Sequence, residues 1–118
     1  MSNIIVLDND EDFRVVIAGL LTGIGHKVHP VYRASDAIDL GHLIQPELLI
    51  TEWKLQDEYD GFEVCDAFRY ANPGVKLIMT SDVKSVENEP GYEFLFRYFQ
   101  KPIPTDEFLE AVEQALAE

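Results

Sequence analysis

Short, nearly continuous apolar runs alternate along the chain with stretches of helical apolar spacing, and this alternation restricts the fold more than any other feature. Asn3 to Leu7 (NIIVL) has the pattern of a strand buried on both faces. Asp10, Glu11 and Asp12 follow, and suit a first helical turn, where the helix dipole favours negative charge. Phe13, Val16, Ile17, Leu20, Leu21 and Ile24 then form one apolar stripe, which Gly23 and Gly25 end. Lys27 to Val31 reads as a second strand, and Pro30 within it predicts an edge position, because proline cannot donate to a ladder.

The pattern repeats through the rest of the chain. A second helix is expected from about Ser35 to Ile44, stopped by Pro46, and Leu48 to Thr51 (LLIT) reads as a central strand delivering Glu52 at its end. Gly61 to Ala71 carries Phe62, Val64, Cys65, Phe68 and Ala71 on a third helix, closed by Asn72-Pro73-Gly74. Val75 to Met79 and Tyr98 to Gln100 are the fourth and fifth strands, and a final helix begins near Thr105 with Phe108, Leu109, Val112 and Leu116 on its buried face. Between these strands, Asp82 to Arg97 should hold a fourth helix. Pro90-Gly91 interrupts its middle, so it is expected to be short or displaced, and the segment the least regular and most mobile of the fold. Such alternation implies an α/β fold: a five-stranded parallel sheet with helices on both faces. In sheets of this kind, reactive groups gather at the C-terminal strand ends.

The residues expected there make a coherent set. Asp8 and Asn9 follow the first strand, Glu52 the third, Thr80 and Ser81 the fourth, and Lys101 the fifth. Carboxylates can hold a hard divalent cation through oxygen, while a hydroxyl and an ammonium can bind an anionic group placed between them. A single Asp after a strand is more often a turn or a cap; the coincidence at four strand ends carries the weight. His26, His29 and His42 lack metal-ligand spacing and read as surface or packing residues. Cys65 reads as core and Trp53 as a partly exposed packing residue. Tyr92, Phe94, Phe96 and Phe99 suit either packing or, where exposed, a partner surface.

Length and charge narrow the class of function. At 118 residues the chain suits one domain over residues 1–118, with no internal repeat or linker. Nine Lys and Arg against 22 Asp and Glu leave a formal charge of −13, which opposes binding to phosphate backbones; no nucleic-acid partner is expected. No run approaches membrane-spanning length and no signal sequence is evident, so no membrane role is expected. One cysteine cannot form an internal disulfide, which suits a cytoplasmic location. There is no nucleophile elbow, which argues against a hydrolase.

Over its whole length the sequence resembles the receiver domains of two-component response regulators. IIVLDNDEDFR is similar to the family's first strand and acidic pair, with Asp8 on the first acid and Asn9 on the second. PELLITEWKLQDEYDG resembles the segment around the phosphoacceptor, with Glu52 on the acceptor and Asp60-Gly61 on an Asp-Gly pair. LIMTS places Thr80 on the switch hydroxyl; YFQKPIP places Lys101 on the invariant lysine, Pro102 on a usually cis proline, and Tyr98 on the switch aromatic. The resemblance implies a flavodoxin-like strand order 2-1-3-4-5 and a role in signal transduction or phosphorelay rather than as an enzyme. Its implied partner is a protein, either a histidine kinase or a downstream effector, and a homodimer is compatible with it.

The departures from the family's pattern bear on activity. The resemblance implies a Mg2+ site formed by the second acid, the acceptor and a backbone carbonyl, here Asn9, Glu52 and Lys54. Asn9 removes one formal charge, Glu52 is a methylene longer than aspartate, one extra residue precedes Asp60-Gly61, and Gln56 stands where proline is common. Magnesium binding is therefore expected to be weak and phosphotransfer to Glu52 poor, leaving an atypical receiver that is phosphorylation-independent or partly phosphomimetic. The simplest account of Glu52 is an ion pair with Lys101. The competing expectations are an active receiver accepting phosphate at Glu52, Asp57 or Asp60, and a fragment of a larger regulator or hybrid kinase.

Overall fold

A computed structural model describes residues 2–118. The elements run β1 (Asn3–Leu7), α1 (Glu11–Gly23), β2 (Lys27–Val31), α2 (Ala34–Ile44), β3 (Leu48–Glu52), α3 (Gly61–Ala71), β4 (Lys76–Ser81), β5 (Arg97–Gln100) and α4 (Thr105–Ala117). All ladders are parallel and the strand order is β2-β1-β3-β4-β5. The fold is the doubly wound, flavodoxin-like one.

Strand alternation divides the interior into two cores. Ile5, Leu7, Leu49, Leu77 and Met79 face α2 and α3, meeting Ala37, Val64, Cys65 and Phe68. Ile4, Val6, Leu48, Ile50 and Ile78 face the other way, meeting Ile17 and Leu21 of α1 and Phe108 and Val112 of α4. Because the central strands β1, β3 and β4 are covered on both sides, their runs are apolar at successive positions rather than at every second one. β2 lies at an edge, as Pro30 requires.

Two local features differ from the sequence reading, and a third bears it out. β4 extends two residues beyond Met79, so Thr80 and Ser81 belong to the strand and alternate between its faces. Trp53 is buried, 8% exposed, and packs edge-on against Phe62 with ring centroids 5.8 Å apart. Between β4 and β5 the fourth helix is reduced to one 3-10 turn, Tyr92–Phe94, entered through Gly91 at φ 98°. Pro90 removes a donor and Gly91 adopts a left-handed conformation, so the helical ladder cannot run through them. Val86, Tyr92 and Leu95 of this connection still pack on the α2/α3 core, while Phe94 stays exposed.

Candidate functional site

The C-terminal strand ends enclose a cleft of about 480 Å³, lined in part by Asp8, Asn9, Glu52, Lys54, Ser81 and Lys101. At its base, Lys101 bonds two carboxylates at once: Nζ lies 2.7 Å from Glu52 Oε1 and 2.9 Å from Asp8 Oδ2. The Phe13 ring of α1 approaches the same ammonium at 4.1 Å. The second Glu52 oxygen, Oε2, accepts the backbone N–H of Trp53 at 2.8 Å and of Lys54 at 3.2 Å. The longer side chain thus curls back onto its own strand end while its other oxygen reaches the lysine. The Lys101–Pro102 peptide bond is cis.

Burial and charge act against each other here. Burial lowers the Lys101 ammonium, but the hydrogen bonds it donates to Glu52 and Asp8 outweigh this and the group ends above its ordinary range. Asp8 is also raised: burial dominates, opposed by Lys101 and the Asp10 amide and reinforced by the Glu52 charge. One ammonium serves two buried carboxylates, so the trio carries a net negative charge, and Asp8 carries its cost.

The hydroxyl at the cleft is Ser81, which corrects the assignment of the switch position to Thr80. Thr80 pairs with Glu52 in the β3–β4 register, yet it follows Ile78 on the α1/α4 face, is fully buried, and its Oγ1 has no hydrogen-bond partner. Ser81, one residue on, faces the cleft and accepts the Val83 amide at 3.3 Å. Tyr98 donates its phenol to the Val83 carbonyl, and burial pushes that phenol up, opposed by the Ser81 hydroxyl. The apolar run Leu77–Met79 ends before both hydroxyls, and only the strand's alternation separates them.

Asn9 is likewise placed differently from its expected role. Its Nδ2 donates to the Tyr32 carbonyl at 2.9 Å, and its Oδ1 accepts the Gln56 amide at 2.7 Å. Glu52 has both oxygens engaged, and so has Asp8, whose Oδ1 accepts the Asp10 amide at 2.8 Å. Among the described residues no group of three His, Cys, Asp or Glu side chains is disposed to hold a metal. A divalent cation needs several free oxygen ligands, and here they are bonded to amides and to an ammonium. The donor set Asn9, Glu52 and Lys54 does not fit magnesium in this arrangement.

Asp57 and Asp60 of the loop are helix caps. Asp60 caps α3 in a reciprocal box with Glu63, its Oδ1 accepting the Glu63 amide at 2.9 Å. Asp57 Oδ2 accepts the amide of Ala34 at 2.9 Å, supplying from a distant loop the cap that Arg33 does not provide to α2. Gly61 is required by close approach: a Cβ there would lie 2.3 Å from the Glu52 carbonyl oxygen. Its amide donates to the Trp53 carbonyl at 2.7 Å, locking the loop's return against the strand that carries Glu52. His26 and His29 make structural contacts, to Glu113 and Asn3, and Cys65 is buried with its thiol pushed up by burial.

With this geometry in place, comparison with known proteins gives the fold's relatives. No family model matches the chain. The nitrogen assimilation regulatory protein NtrX of Azorhizobium caulinodans is 24% identical over 97% of this chain, which spans 26% of that protein. A crystal structure of NtrX from Brucella abortus superposes with a TM-score of 0.89 at 24% identity, covering 98% of this chain and 27% of that one. The BeF3-activated DrrB receiver domain superposes at 0.87 with 22% identity, covering 100% and 99% of the two chains. The structural neighbours are response-regulator receiver domains, and the chain has their fold. It spans about a quarter of the length of the NtrX proteins it matches.

Proposed function

We propose that the chain is a receiver module of a two-component or phosphorelay system that works by protein–protein contact without being phosphorylated. One observation carries this reading. The Glu52 carboxylate, at the acceptor position of the resemblance, is bonded to Lys101 at 2.7 Å through one oxygen and to two backbone amides through the other. The ammonium that would receive an incoming phosphoryl group is thus engaged by the protein's own side chains. Glu52 supplies one negative charge where a phosphate would bring about −1.5 to −2, so it is at most a partial mimic. The module is not an enzyme in this reading, and magnesium is at most a weak ligand. Its partner is a histidine kinase or an effector protein in the cytoplasm, reached in cis if the chain is one part of a longer regulator like NtrX. Nucleic acid is not a partner, given the charge of −13.

The competing reading, phosphate acceptance at Asp57 or Asp60, is disfavoured because both carboxylates cap helices. The test is intact mass after incubation with a small phosphodonor and magnesium. No stable phosphoryl adduct is expected; ready labelling that Glu52→Gln abolishes would overturn the proposal.

A further inference from the structure

Three loops meet at the rim of the cleft, and Asn9 joins them. It lies just beyond β1, donates to the carbonyl of Tyr32 just beyond β2, and accepts the amide of Gln56 in the β3–α3 loop. The two bonds fix the amide's orientation, since the nitrogen faces a carbonyl and the oxygen faces an N–H. Beside it, Asp57 repeats the connection by capping Ala34 of α2, one residue after Arg33 and two after Tyr32. The β3–α3 loop is therefore pinned across the β2–α2 junction at two adjacent points, both made by side chains. An aspartate at position 9 could accept from Gln56 but could not donate to Tyr32.

We propose that Asn9 is a neutral positioning residue that holds the cleft's three loops in their closed arrangement, a task performed here without a divalent cation. This rests on reading the cleft as a closed ion-pair site, and it adds the device that closes the rim. The charge argument supports it. The cleft already places Asp8, Asp10, Glu52 and Asp82 against Lys54 and Lys101, so a further carboxylate at position 9 would repel its neighbours unless a cation were added. A carboxamide forms both bonds and adds no charge.

The test uses amide hydrogen exchange and thermal unfolding on the whole chain. In wild type, millimolar magnesium should leave the melting temperature unchanged within about 1 °C, because no free ligand set exists for it to stabilise. In Asn9→Ala, the Gln56 amide should exchange about five-fold faster relative to the Val64 amide, the effect of losing one ordinary hydrogen bond. Val64 lies in α3, and the ratio separates local release of the rim from general destabilisation. Asn9→Asp, which keeps the acceptor, should leave that ratio near wild type while weakening the Tyr32 side of the pin. A saturable rise of several degrees with magnesium in wild type, or an unchanged Gln56-to-Val64 ratio in Asn9→Ala, would overturn the inference. Phosphodonor labelling of wild type would instead count against the functional reading, so the two failures are distinguishable.

Discussion

Lys101 and Glu52, on β5's exit and β3's end, are joined at 2.7 Å, and the same ammonium holds Asp8 at 2.9 Å. With side chains only 14%, 11% and 3% exposed, the three groups cannot rely on solvent to screen one another. Removing the cation should therefore cost more than removing one anion. Lys101→Met leaves two carboxylates facing each other and is expected to destabilise by about 3 kcal/mol, the low end for a broken buried pair. Glu52→Gln keeps an acceptor for the Trp53 amide and relieves repulsion on Asp8, so its cost should stay near about 1 kcal/mol. Urea unfolding of both variants checks the order; equal losses would argue against the shared clamp.

Thr80 and Ser81 can be told apart by substitution. The Thr80 hydroxyl is buried without a partner, so Thr80→Val should be neutral or stabilising by up to about 1 kcal/mol in thermal unfolding. Ser81→Ala should instead leave the Val83 amide without its acceptor and, by removing the hydroxyl that opposes burial, raise the Tyr98 phenol further. Spectroscopic titration of tyrosine reads the second effect. A large loss from Thr80→Val would restore Thr80 as a functional hydroxyl.

Much of the molecule can be read from the chain itself, and the reason is local. The central strands are buried on both faces, so their apolar runs stand out, and the acidic first turns of α1 and α4 mark helix starts. Asp8, Glu52 and Lys101 are legible because each directly follows or ends a strand. What is not legible depends on contacts distant in sequence. Asn9 finds Tyr32 and Gln56, 23 and 47 residues away, and Asp57 finds Ala34, 23 residues away. The choice between Thr80 and Ser81 depends on a strand two residues longer than its apolar run. The 3-10 turn at Tyr92–Phe94 shows how far Pro90-Gly91 shortens a helix, which the dipeptide alone leaves open.

Stability should respond to pH through the clamp in two windows. The Asp8 carboxyl is raised above its ordinary value of 3.8, so the folded chain holds that proton more tightly than the unfolded one. Its contribution is fully present below that value and is lost as pH rises through the folded value. Asp8→Asn should then be at least as stable as wild type at neutral pH, with the difference vanishing toward pH 3.8. Lys101 is raised above 10.5, so its contribution persists through neutrality and is lost only as pH climbs past that value. Thermal unfolding of wild type and Asp8→Asn across pH checks both signs; a wild type more stable than Asp8→Asn at pH 7 and less so in acid would reverse the first.

The Gly61 position tests how tightly the strand that carries Glu52 is held. A methyl group there would collide with backbone, the Glu52 carbonyl oxygen at 2.3 Å and the Trp53 Cα at 2.9 Å, so no side-chain rotation can relieve it. Gly61→Ala should cost about 1–3 kcal/mol, in the range of overpacked interiors, and should displace Trp53. Because Trp53 is the sole tryptophan, its emission reports the shift directly. An unshifted spectrum with wild-type stability would mean that the loop return is looser than the Gly61–Trp53 bond implies.

Substitution at positions 52 and 9 should favour phosphate acceptance. Shortening Glu52 to aspartate withdraws the carboxylate by roughly 1.5 Å, one carbon–carbon bond. The shorter side chain cannot hold Lys101 and curl onto the Trp53 and Lys54 amides as the present one does, so the ammonium is partly released toward the cleft. Displacements of this size change rates by about a hundredfold when reacting atoms must be aligned. Position 9 is a separate defect, because Asn9 spends its oxygen on Gln56 and brings no charge. Glu52→Asp with Asn9→Asp would place three carboxylates, with Asp8, at one strand edge, a donor set suited to a hard cation. The double variant should therefore gain phosphoryl label from a small phosphodonor with magnesium, and Glu52→Asp alone should gain less. Intact mass gives the readout directly. If the double variant stays unlabelled while folded, the longer β3–α3 loop, pinned through Gln56 and Asp57, is what closes the site. If the single variant labels as well as the double, Asn9 has no part in excluding phosphate.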